Sequence, residues 1–221
     1  MTPPSAPSPE NHSAPSAPAW VGSSPSQPLF IVVSGPSGVG KDSVLDYMRE
    51  LDLPLHFVIT ATSRPPRPHE TDGVDYFFYT RERFLEMVEA GEFIEHALVY
   101  KDYKGIPKSQ VREAFATGRD VIVRVDVQGA ATIQNLYPQA LLIFLTTPTV
   151  EELIERLKKR RTETETQFNL RVQTAWDEMQ VVENFDYIVQ NRDGELRETV
   201  ETIQAIIAAE HHKVDPRKVV L

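Results

Sequence analysis

Residues 30–45, FIVVSGPSGVGKDSVL, carry the strongest indication of how this chain folds. The first four residues are apolar and mostly β-branched, which is typical of a strand buried on both faces. A glycine-rich turn and a lysine follow, and residues 43–50 then show a helical pattern. Strand, G-x-x-x-x-G-K and helix form the context in which this motif becomes a phosphate-binding loop. The stretch therefore predicts a site for a nucleoside triphosphate.

The loop is suited to surround phosphate oxygens with N–H donors and positive charge. Its glycines let the backbone approach a ligand closely, and the helix start adds unpaired N–H groups and the positive end of a helix dipole. Lys41 adds a full charge for the outer phosphates. We expect the triphosphate to be contacted by Gly35, Pro36, Ser37, Gly38, Val39, Gly40, Lys41, Asp42 and Ser43.

The residue after the lysine departs from the usual motif. Asp42 stands where a Ser or Thr normally ligates magnesium, and Ser43 comes one residue later. A carboxylate beside a triphosphate is unfavourable unless it faces solvent or a metal. We therefore expect Asp42 to point away from the phosphates or to hold a magnesium-bound water, with Ser43 as the other candidate contact. No His or carboxylate pair has metal-ligand spacing, so Mg²⁺ is expected to arrive with the nucleotide.

Composition excludes several classes of protein. The 221 residues are enough for one well-buried domain, and the formal charge of −9 disfavours a nucleic-acid binder or an anionic-membrane binder. The absence of cysteine excludes disulfides and thiolate metal sites, and it favours a reducing, cytoplasmic location. No run approaches the roughly 18 apolar residues of a membrane span, and the N-terminal residues lack the pattern of a secretory signal.

The chain divides into a tail, a globular part and a short C-terminal tail. Residues 1–28 are rich in Pro, Ser and Ala and hold 8 of the 17 prolines, which predicts disorder, with a Pro-rich docking ligand as the alternative. From residue 29, strands alternate with helices, so we expect a parallel sheet flanked by helices, with ligands beyond the carboxyl ends of its strands. Residues 64–108 interrupt this alternation and are predicted to form a small inserted subdomain. The core then comprises 29–63 and 109–210, and 211–221 forms the second tail.

Periodicity gives the expected elements of this globular part. After the opening strand, further strands are expected at 55–62, 76–79, 93–100, 120–125, 140–145 and 187–189. Helices are expected at 44–51, 81–90, 110–117, 150–161, 167–184 and 195–210. The residues 103–107, which include a glycine and a proline, are predicted to form a turn.

Arginines outside the loop offer the positive charge from several directions that phosphoryl transfer requires. Arg64 and Arg67 are three apart in a proline-stiffened loop, which allows both guanidinium groups to reach one phosphate. Arg160 and Arg171 flank a Thr/Glu-rich connection that suits a mobile lid, and Arg156 and Arg161 stand nearby. Solvated surface charge is the alternative interpretation for each of them.

Several motifs, in their order and spacing, resemble those of guanylate kinases. They are GPSGVGK (35–41), SRPPRP (63–68), GVDYFF (73–78), GEFIE (91–95), YKGIP (103–107), DVQG (126–129) and RRTET (160–164). The likeness covers about residues 29–208. It implies an α/β fold of the P-loop NTPase type, with a parallel sheet core flanked by helices, a small inserted α+β subdomain for the nucleoside monophosphate and a helical lid at about 160–172. It also implies the reaction ATP + GMP = ADP + GDP, with Mg²⁺.

The resemblance also implies roles for individual residues. On the GMP side it assigns Arg64, Arg67 and Tyr76 to the phosphate, with Tyr103 as a helper, and Glu95, Thr60 and Asp126 to the guanine. A carboxylate is the logical acceptor for the two adjacent donors of guanine, a pair that adenine lacks. The remaining residues act on the transferring phosphate or near adenine: Lys41, Arg64, Arg160 and Arg171 as catalytic residues, and Asn191 in the adenine-side loop.

Besides Asp42, four positions depart from the family pattern. Lys104 replaces a second tyrosine that often contacts the GMP phosphate, and Ile106 replaces a Ser or Thr that often hydrogen-bonds the guanine O6. Arg124 stands at a position that is often acidic, and Arg161 stands where the lid usually has glycine.

Two other functions remain open at this point. A non-catalytic guanylate-kinase-like scaffold would bind phosphopeptides through Arg64, Arg67 and Tyr76. A kinase of the same architecture would act on another NMP or a sugar phosphate, which Ile106 keeps open. The expected partners are ATP and GMP, without nucleic acid or membrane, and the chain is expected to be a monomer or a homodimer.

Overall fold

The computed structural model describes residues 27–99, 101–158 and 165–219, and within them the chain forms two sheets flanked by helices. The strands are β1 (Phe30–Ser34), β2 (Leu55–Phe57), β3 (Ala61–Thr62), β4 (Phe77–Phe78), β5 (Phe93–Val99), β6 (Asp102–Pro107), β7 (Asp120–Arg124), β8 (Leu141–Thr146) and β9 (Tyr187–Gln190). The helices are α1 (Lys41–Glu50), α2 (Arg81–Glu89), α3 (Lys108–Ala116), α4 (Val127–Leu136), α5 (Val150–Lys158), α6 (Glu165–Met179) and α7 (Leu196–His211), with a 3₁₀ turn at Val182–Asn184.

The central sheet is parallel and has the strand order β2-β7-β1-β8-β9. Strand β1 lies in its middle, and all five of its residues are buried. Alternate side chains of β1 face opposite layers: Ile31 and Val33 pack with helices α1 and α7, whereas Phe30 and Val32 pack with α3 and α4. The predicted fold class, a parallel sheet covered by helices on both faces, is confirmed.

The second sheet is mixed and has the order β4-β3-β6-β5. Strands β5 and β6 form an antiparallel hairpin, and β3 pairs antiparallel with β6 and parallel with β4. Helix α2 packs on this sheet through Phe84, whose ring stacks on Phe93 with a centroid distance of 4.4 Å. The helix and three of these strands fall within the residues 64–108 that were predicted as a small α+β unit, whereas β3 lies just before them, in the range predicted as core. The role of this unit as a separate subdomain stays a prediction.

Two predictions in this region, one of a strand and one of a turn, were wrong. The expected strand 55–62 is divided, because β2 joins the central sheet while β3 joins the second sheet. The expected turn at 103–107 is most of β6, which pairs on both of its sides. Gly105 serves close packing here, since a Cβ at this position would lie 2.8 Å from the ring of Phe93.

Helix α4 was missed, because its first residues include a glycine and two alanines and give little hydrophobic periodicity. The signal that marks it is Asp126 at the N-cap, whose carboxylate accepts a hydrogen bond from the N–H of Gly129 at 2.9 Å. Other helices differ at their ends: α1 begins three residues earlier than expected, and α6 ends at Met179 before the 3₁₀ turn. Residues 159–161 of the helix expected at 150–161 lie outside the described residues.

The segment after residue 210, which the sequence predicts as a tail, is attached to the fold through Arg217. Its guanidinium donates to Glu210 at 2.7 Å and to the carbonyl of Ala140 at 2.8 Å, and it forms an ion pair with Asp186 at 3.0 Å. The segment therefore connects the end of α7 with the strands β8 and β9. Among the helices of the described ranges, none combines the length and apolar character that crossing a bilayer requires.

Replacing Arg217 by alanine is expected to lower the free energy of unfolding by about 2–4 kcal/mol, because it leaves a buried carboxylate short of a partner. The side chain of Glu210 has no exposed surface. Burial opposes its ionisation, but hydrogen bonds from Arg217, Lys213 and Tyr187 lower its pKa to about 2. Urea denaturation at pH 7 measures the change.

The double variant Glu210→Gln/Arg217→Ala is expected to regain part of this loss. Arg197→Ala is the matched control, since Arg197 pairs with Glu201 on an exposed helix face and its loss should hardly move the unfolding midpoint. Equal midpoints for Arg217→Ala and Arg197→Ala would show that Arg217 does not anchor the C-terminal segment.

Candidate active site

A cleft of about 690 Å³ lies between the loop that follows β1 and the second sheet. It is situated beyond the carboxyl ends of β1 and β7, the position where parallel sheets bind their ligands. The predicted site residues that line it are Pro36, Ser37, Gly38, Gly40, Lys41, Asp42, Ser43, Thr60, Arg64, Arg67, Tyr76, Glu95, Asp126 and Asn191.

The phosphate loop takes a backbone path that only glycine follows without strain. Gly35 has φ 137°, and a Cβ there would lie 3.1 Å from the carbonyl carbon of Leu145 and closer still to its oxygen. Gly40 has φ 94° and is the N-cap of α1, so that the unpaired N–H groups of the first helical turn adjoin the cleft. Gly35 and Val39 do not line the cleft, and the Val39 side chain is buried in the core. The contacts predicted between the triphosphate and Gly35 or Val39 are therefore limited to backbone atoms of these residues.

Lys41 lies against the loop that precedes it. Its Nζ donates to the carbonyl of Gly35 and, at 3.0 Å, to that of Pro36. Burial lowers the pKa of Lys41 to about 8, with Glu178 opposing the shift and Arg124 adding to it. The ammonium group is thus held by neutral carbonyl groups, and an anion in the cleft would offer it a stronger partner.

The loop is also braced from the C-terminal part of the chain. The Asn191 side-chain amide donates to the carbonyl of Val39 at 2.8 Å, and Nη1 of Arg156 donates to the same carbonyl at 3.2 Å. Nη2 of Arg156 donates to the backbone carbonyl of Asn191 at 2.8 Å. Asn191 thus lines the cleft and at the same time fixes the loop, whereas Arg156, known from the sequence only as one of several cations, joins the two segments.

Helix α6 supplies two groups to the loop. Nη2 of Arg171, a residue with 7 % exposure, lies 3.4 Å from Oγ of Ser37. The Glu178 carboxylate accepts a hydrogen bond from the Ser37 N–H at 3.0 Å, and burial raises its pKa. Nothing in the sequence identifies Glu178, which lies 141 positions from its partner. Arg160, which was predicted together with Arg171 to belong to a lid, lies outside the described residues, as do Arg161 and the connection between α5 and α6.

On the opposite side of the cleft, Arg64 is held in a fixed orientation. Its two terminal nitrogens donate to the two carboxylate oxygens of Glu70, each at 2.6 Å, and this hydrogen bonding raises the pKa of Arg64. Its guanidinium also lies 5.1 Å from the centre of the Tyr76 ring. Glu70 additionally accepts from the N–H of Arg67 at 2.8 Å, while the Arg67 side chain is exposed to the cleft. Glu70, which the sequence analysis did not select, therefore organises the whole arginine loop.

Glu95 is a buried carboxylate, with 7 % of its surface exposed. It lies beside the first turn of α4, where a Cβ on Gly129 would come within 3.3 Å of its carboxylate oxygen. Burial, aided by the charge of Asp126, raises the pKa of Glu95 to about 7. Thr60 and Asp126 line the same cleft, so the three residues predicted for the guanine are brought together.

Tyr103 does not line the cleft, contrary to its predicted contact with the GMP phosphate. Its ring stacks on Phe84 at 5.5 Å and lies under the guanidinium of Arg81 at 4.8 Å. Successive residues of a strand face opposite sides of a sheet, so it is Lys104 that faces the cleft. The side chain of Ile106 is buried and gives the cleft an apolar wall.

Asp42, the residue after Lys41, is partly exposed, and its carboxylate forms an ion pair with Arg124. The second terminal nitrogen of Arg124 donates to the hydroxyl of Tyr76. Burial lowers the pKa of Arg124 to about 10. Two positions that depart from the expected pattern are therefore in contact with each other.

The guanylate kinase family model matches residues 27–210. The chain belongs to the guanylate kinase family. It is 49 % identical over 196 residues to guanylate kinase 2, chloroplastic/mitochondrial, of Oryza sativa subsp. japonica, which covers 88 % of this chain and 69 % of that protein. It is 42 % identical over 185 residues to the guanylate kinase of Halalkalibacterium halodurans, with coverage of 84 % and 90 %.

A solved structure agrees with this membership. The guanylate kinase from Anaplasma phagocytophilum matches this fold with a TM-score of 0.68 at 28 % identity, over 86 % of this chain and 89 % of that one. The resemblance stated from the motifs is thereby confirmed, and with it the prediction that the chain is a nucleotide-binding kinase.

The affinity of the cleft for ATP is expected to fall as pH rises through about 8, because a neutral Lys41 offers no charge to the phosphates. At pH 9 the loss should be about tenfold relative to pH 7. Calorimetric titration with ATP from pH 7 to pH 9 measures it. Lys41→Arg is the control: it should bind ATP more weakly but lose this pH dependence, since an arginine stays charged. Parallel pH profiles for the two proteins would contradict the assignment.

Proposed function

We propose that this cleft transfers the γ-phosphoryl group of ATP to GMP, giving ADP and GDP, and so serves purine nucleotide metabolism and the recycling of GMP. The observation that carries the proposal is the pairing, in one cleft, of a phosphate loop with a buried carboxylate suited to guanine. The relatives named above are guanylate kinases, which agrees with this assignment.

On the donor side, we assign the triphosphate to the loop 35–41 and to Ser43, but not to Asp42, whose carboxylate pairs with Arg124. Lys41 would exchange its contacts with loop carbonyls for contacts with phosphate oxygens, and its charge would stabilise the negative charge that develops as the bond to the γ-phosphorus breaks. Arg171 adjoins Ser37 and is the second cation of this side, with Arg160 as its proposed partner in a lid. Asn191 keeps the loop in place and borders the adenine.

On the acceptor side, we assign the GMP phosphate to Arg64, Arg67 and Tyr76. Because Glu70 fixes the guanidinium of Arg64 in advance, binding requires little reorganisation. Lys104 takes the place that was predicted for Tyr103. No general base is required for this reaction, since the attacking phosphate oxygen of GMP is already ionised at neutral pH.

Glu95 is the residue we assign to guanine, with Thr60 and Asp126 as helpers. Ionised, its two oxygens accept hydrogen bonds from the ring N–H and the exocyclic amine of guanine. AMP lacks this pair of donors and would leave the buried carboxylate without partners, which costs more than a missing contact at the surface.

Mg²⁺ fits the oxygen donors of the donor side. Ser43 and Asp126 line the same cleft as the loop, and oxygen ligands are what this ion prefers. When bound with ATP, the ion neutralises charge on the phosphate oxygens. We assign the protein contact to Ser43 and not to Asp42, because the Asp42 carboxylate is engaged by Arg124.

We also propose a cytoplasmic location, for which the cysteine-free composition is the support. The choice between monomer and homodimer stays a prediction.

The proposed activity is tested by a coupled assay of ADP release with ATP, Mg²⁺ and a series of acceptors: GMP, AMP, UMP and a sugar phosphate. GMP is expected to be preferred over AMP by kcat/KM of about 10³-fold or more. A preference for another acceptor would instead identify a related kinase of the same architecture. Binding of a phosphopeptide without any ADP release would favour the non-catalytic scaffold.

Glu95→Gln is expected to reduce the preference for GMP over AMP by about 10²-fold or more while leaving the KM for ATP unchanged. In the wild type, the KM for GMP should rise as pH falls through about 7, since the protonated acid accepts fewer hydrogen bonds. The assay above, repeated from pH 6 to pH 8, measures both effects. Glu92→Gln, an exposed change three residues earlier, is the control.

The same variant has a stability readout. Because the pKa of Glu95 is raised on folding, its ionised form destabilises the fold above pH 7. Glu95→Gln should therefore raise the free energy of unfolding at pH 8 by about 1–3 kcal/mol. A variant that is no more stable than the wild type and keeps its preference for GMP would remove Glu95 from the base site.

A further inference from the structure

Asp42 and Arg124 lie 82 positions apart, and both depart from the pattern of the family motifs. The sheet register explains why they meet. Val33 of β1 is level with Arg124 at the end of β7, so Arg124 projects where the phosphate loop begins its turn. Asp42 is in the first turn of α1, immediately after Lys41. An acidic residue on the helix and a basic residue on the strand thus face each other across the base of the loop.

Arg124 has a second partner on the opposite wall of the cleft. Besides its hydrogen bond to the hydroxyl of Tyr76, its guanidinium lies 5.1 Å from the centre of that ring. The Tyr76 ring therefore contacts two guanidinium groups, those of Arg64 and Arg124. Of these two arginines, only Arg124 also contacts α1, because its other terminal nitrogen pairs with Asp42.

We propose that Arg124 is a positioning residue, which ties the acceptor ligand Tyr76 to the first turn of the phosphate-loop helix, with Asp42 as its counterion. This inference rests on the proposed function for the identity of the two substrates. It gives the unusual aspartate a role: it neutralises a cation and does not itself contact the phosphates or the metal.

The charges make the two residues depend on each other. Without Arg124, the Asp42 carboxylate stands unneutralised one residue from Lys41 and repels the triphosphate. Without Asp42, the guanidinium stays near Lys41 but gains freedom to approach the phosphates, so the loss of Asp42 alone should do little harm to ATP binding. The donor-side effect of losing Arg124 should therefore disappear when Asp42 is also removed.

The effect on the acceptor side should not disappear in that way. Tyr76 loses its hydrogen bond whenever Arg124 is removed, whatever residue stands at 42. The two KM values thus separate the two halves of the proposal, one for the ion pair and one for the link to Tyr76.

The test is a double-mutant cycle with Asp42→Ser, Arg124→Met and their combination, in which the KM values for ATP and GMP are measured separately at saturating partner substrate. Arg119→Met is the matched control, because Arg119 is an exposed arginine in the turn before β7. Thermal unfolding of each variant establishes that the fold is retained.

Arg124→Met is expected to raise the KM for ATP about fivefold to tenfold through the unpaired carboxylate. It should raise the KM for GMP about tenfold through the lost hydrogen bond. The double variant should return the KM for ATP to near the wild-type value and keep the raised KM for GMP. Arg124→Lys retains the charge but cannot bridge two partners, so it should spare ATP and still impair GMP.

If the effects of Asp42→Ser and Arg124→Met on the KM for ATP are additive, the proposed dependence of Asp42 and Arg124 on each other is wrong. A KM for GMP within about twofold of the wild type in both Arg124→Met and Arg124→Lys would overturn the link to Tyr76. The wild type separates these failures from that of the proposed function: if it does not phosphorylate GMP, the function is wrong, whereas turnover of GMP with an additive cycle rejects this inference alone.

Discussion

The structure depends on the burial of β1 between two parallel neighbours. All five residues of this strand are buried, and its two faces belong to two different core layers. A strand held on both faces and at both edges cannot slip in register without moving apolar side chains of both layers. The turn after Ser34 is thereby fixed in space, and Gly35 meets the carbonyl of Leu145 on the next strand. The positions of the phosphate loop, of the start of α1 and of Lys41 all follow from the fixed position of β1.

The cleft beside this loop brings several positive charges close together. Lys41, Arg64, Arg67, Lys104 and Arg124 line it, in a chain whose formal charge is −9. Each of the more buried cations has an acidic neighbour. Glu70 holds Arg64 and Asp42 holds Arg124, while the charge of Glu178 favours the ammonium form of Lys41. Carboxylates thus keep the cations in defined positions until phosphates enter, which is the pre-organisation that electrostatic catalysis requires.

How much the sequence predicts depends on the range of the interaction. The phosphate loop and the arginine loop are local patterns, and both line the cleft as expected. Glu178 and the Asp42–Arg124 pair join residues 141 and 82 positions apart, so no window of sequence contains them.

The errors at β6 have a related cause. Gly105 and Pro107 are typical of a turn when they are considered alone, but the packing of Gly105 against Phe93 and the pairing of β6 on both sides decide otherwise. The register of β6 determines that Lys104, and not Tyr103, faces the cleft. The sequence motif around these residues carries no information about this register. The attachment of Arg217 to Glu210 likewise depends on a partner buried by the fold.

The shifted pKa values of Lys41 and Glu95 make substrate binding an exchange of protons with the solvent. Near pH 8 a large fraction of the free protein holds Lys41 neutral, and a bound triphosphate favours its ammonium form. Lys41 therefore takes up a proton when ATP binds. Near pH 7 a large fraction of the free protein holds Glu95 protonated, and guanine favours the carboxylate. Glu95 therefore releases a proton when GMP binds. The heats of the two binding steps should therefore depend on the ionisation enthalpy of the buffer, with opposite signs.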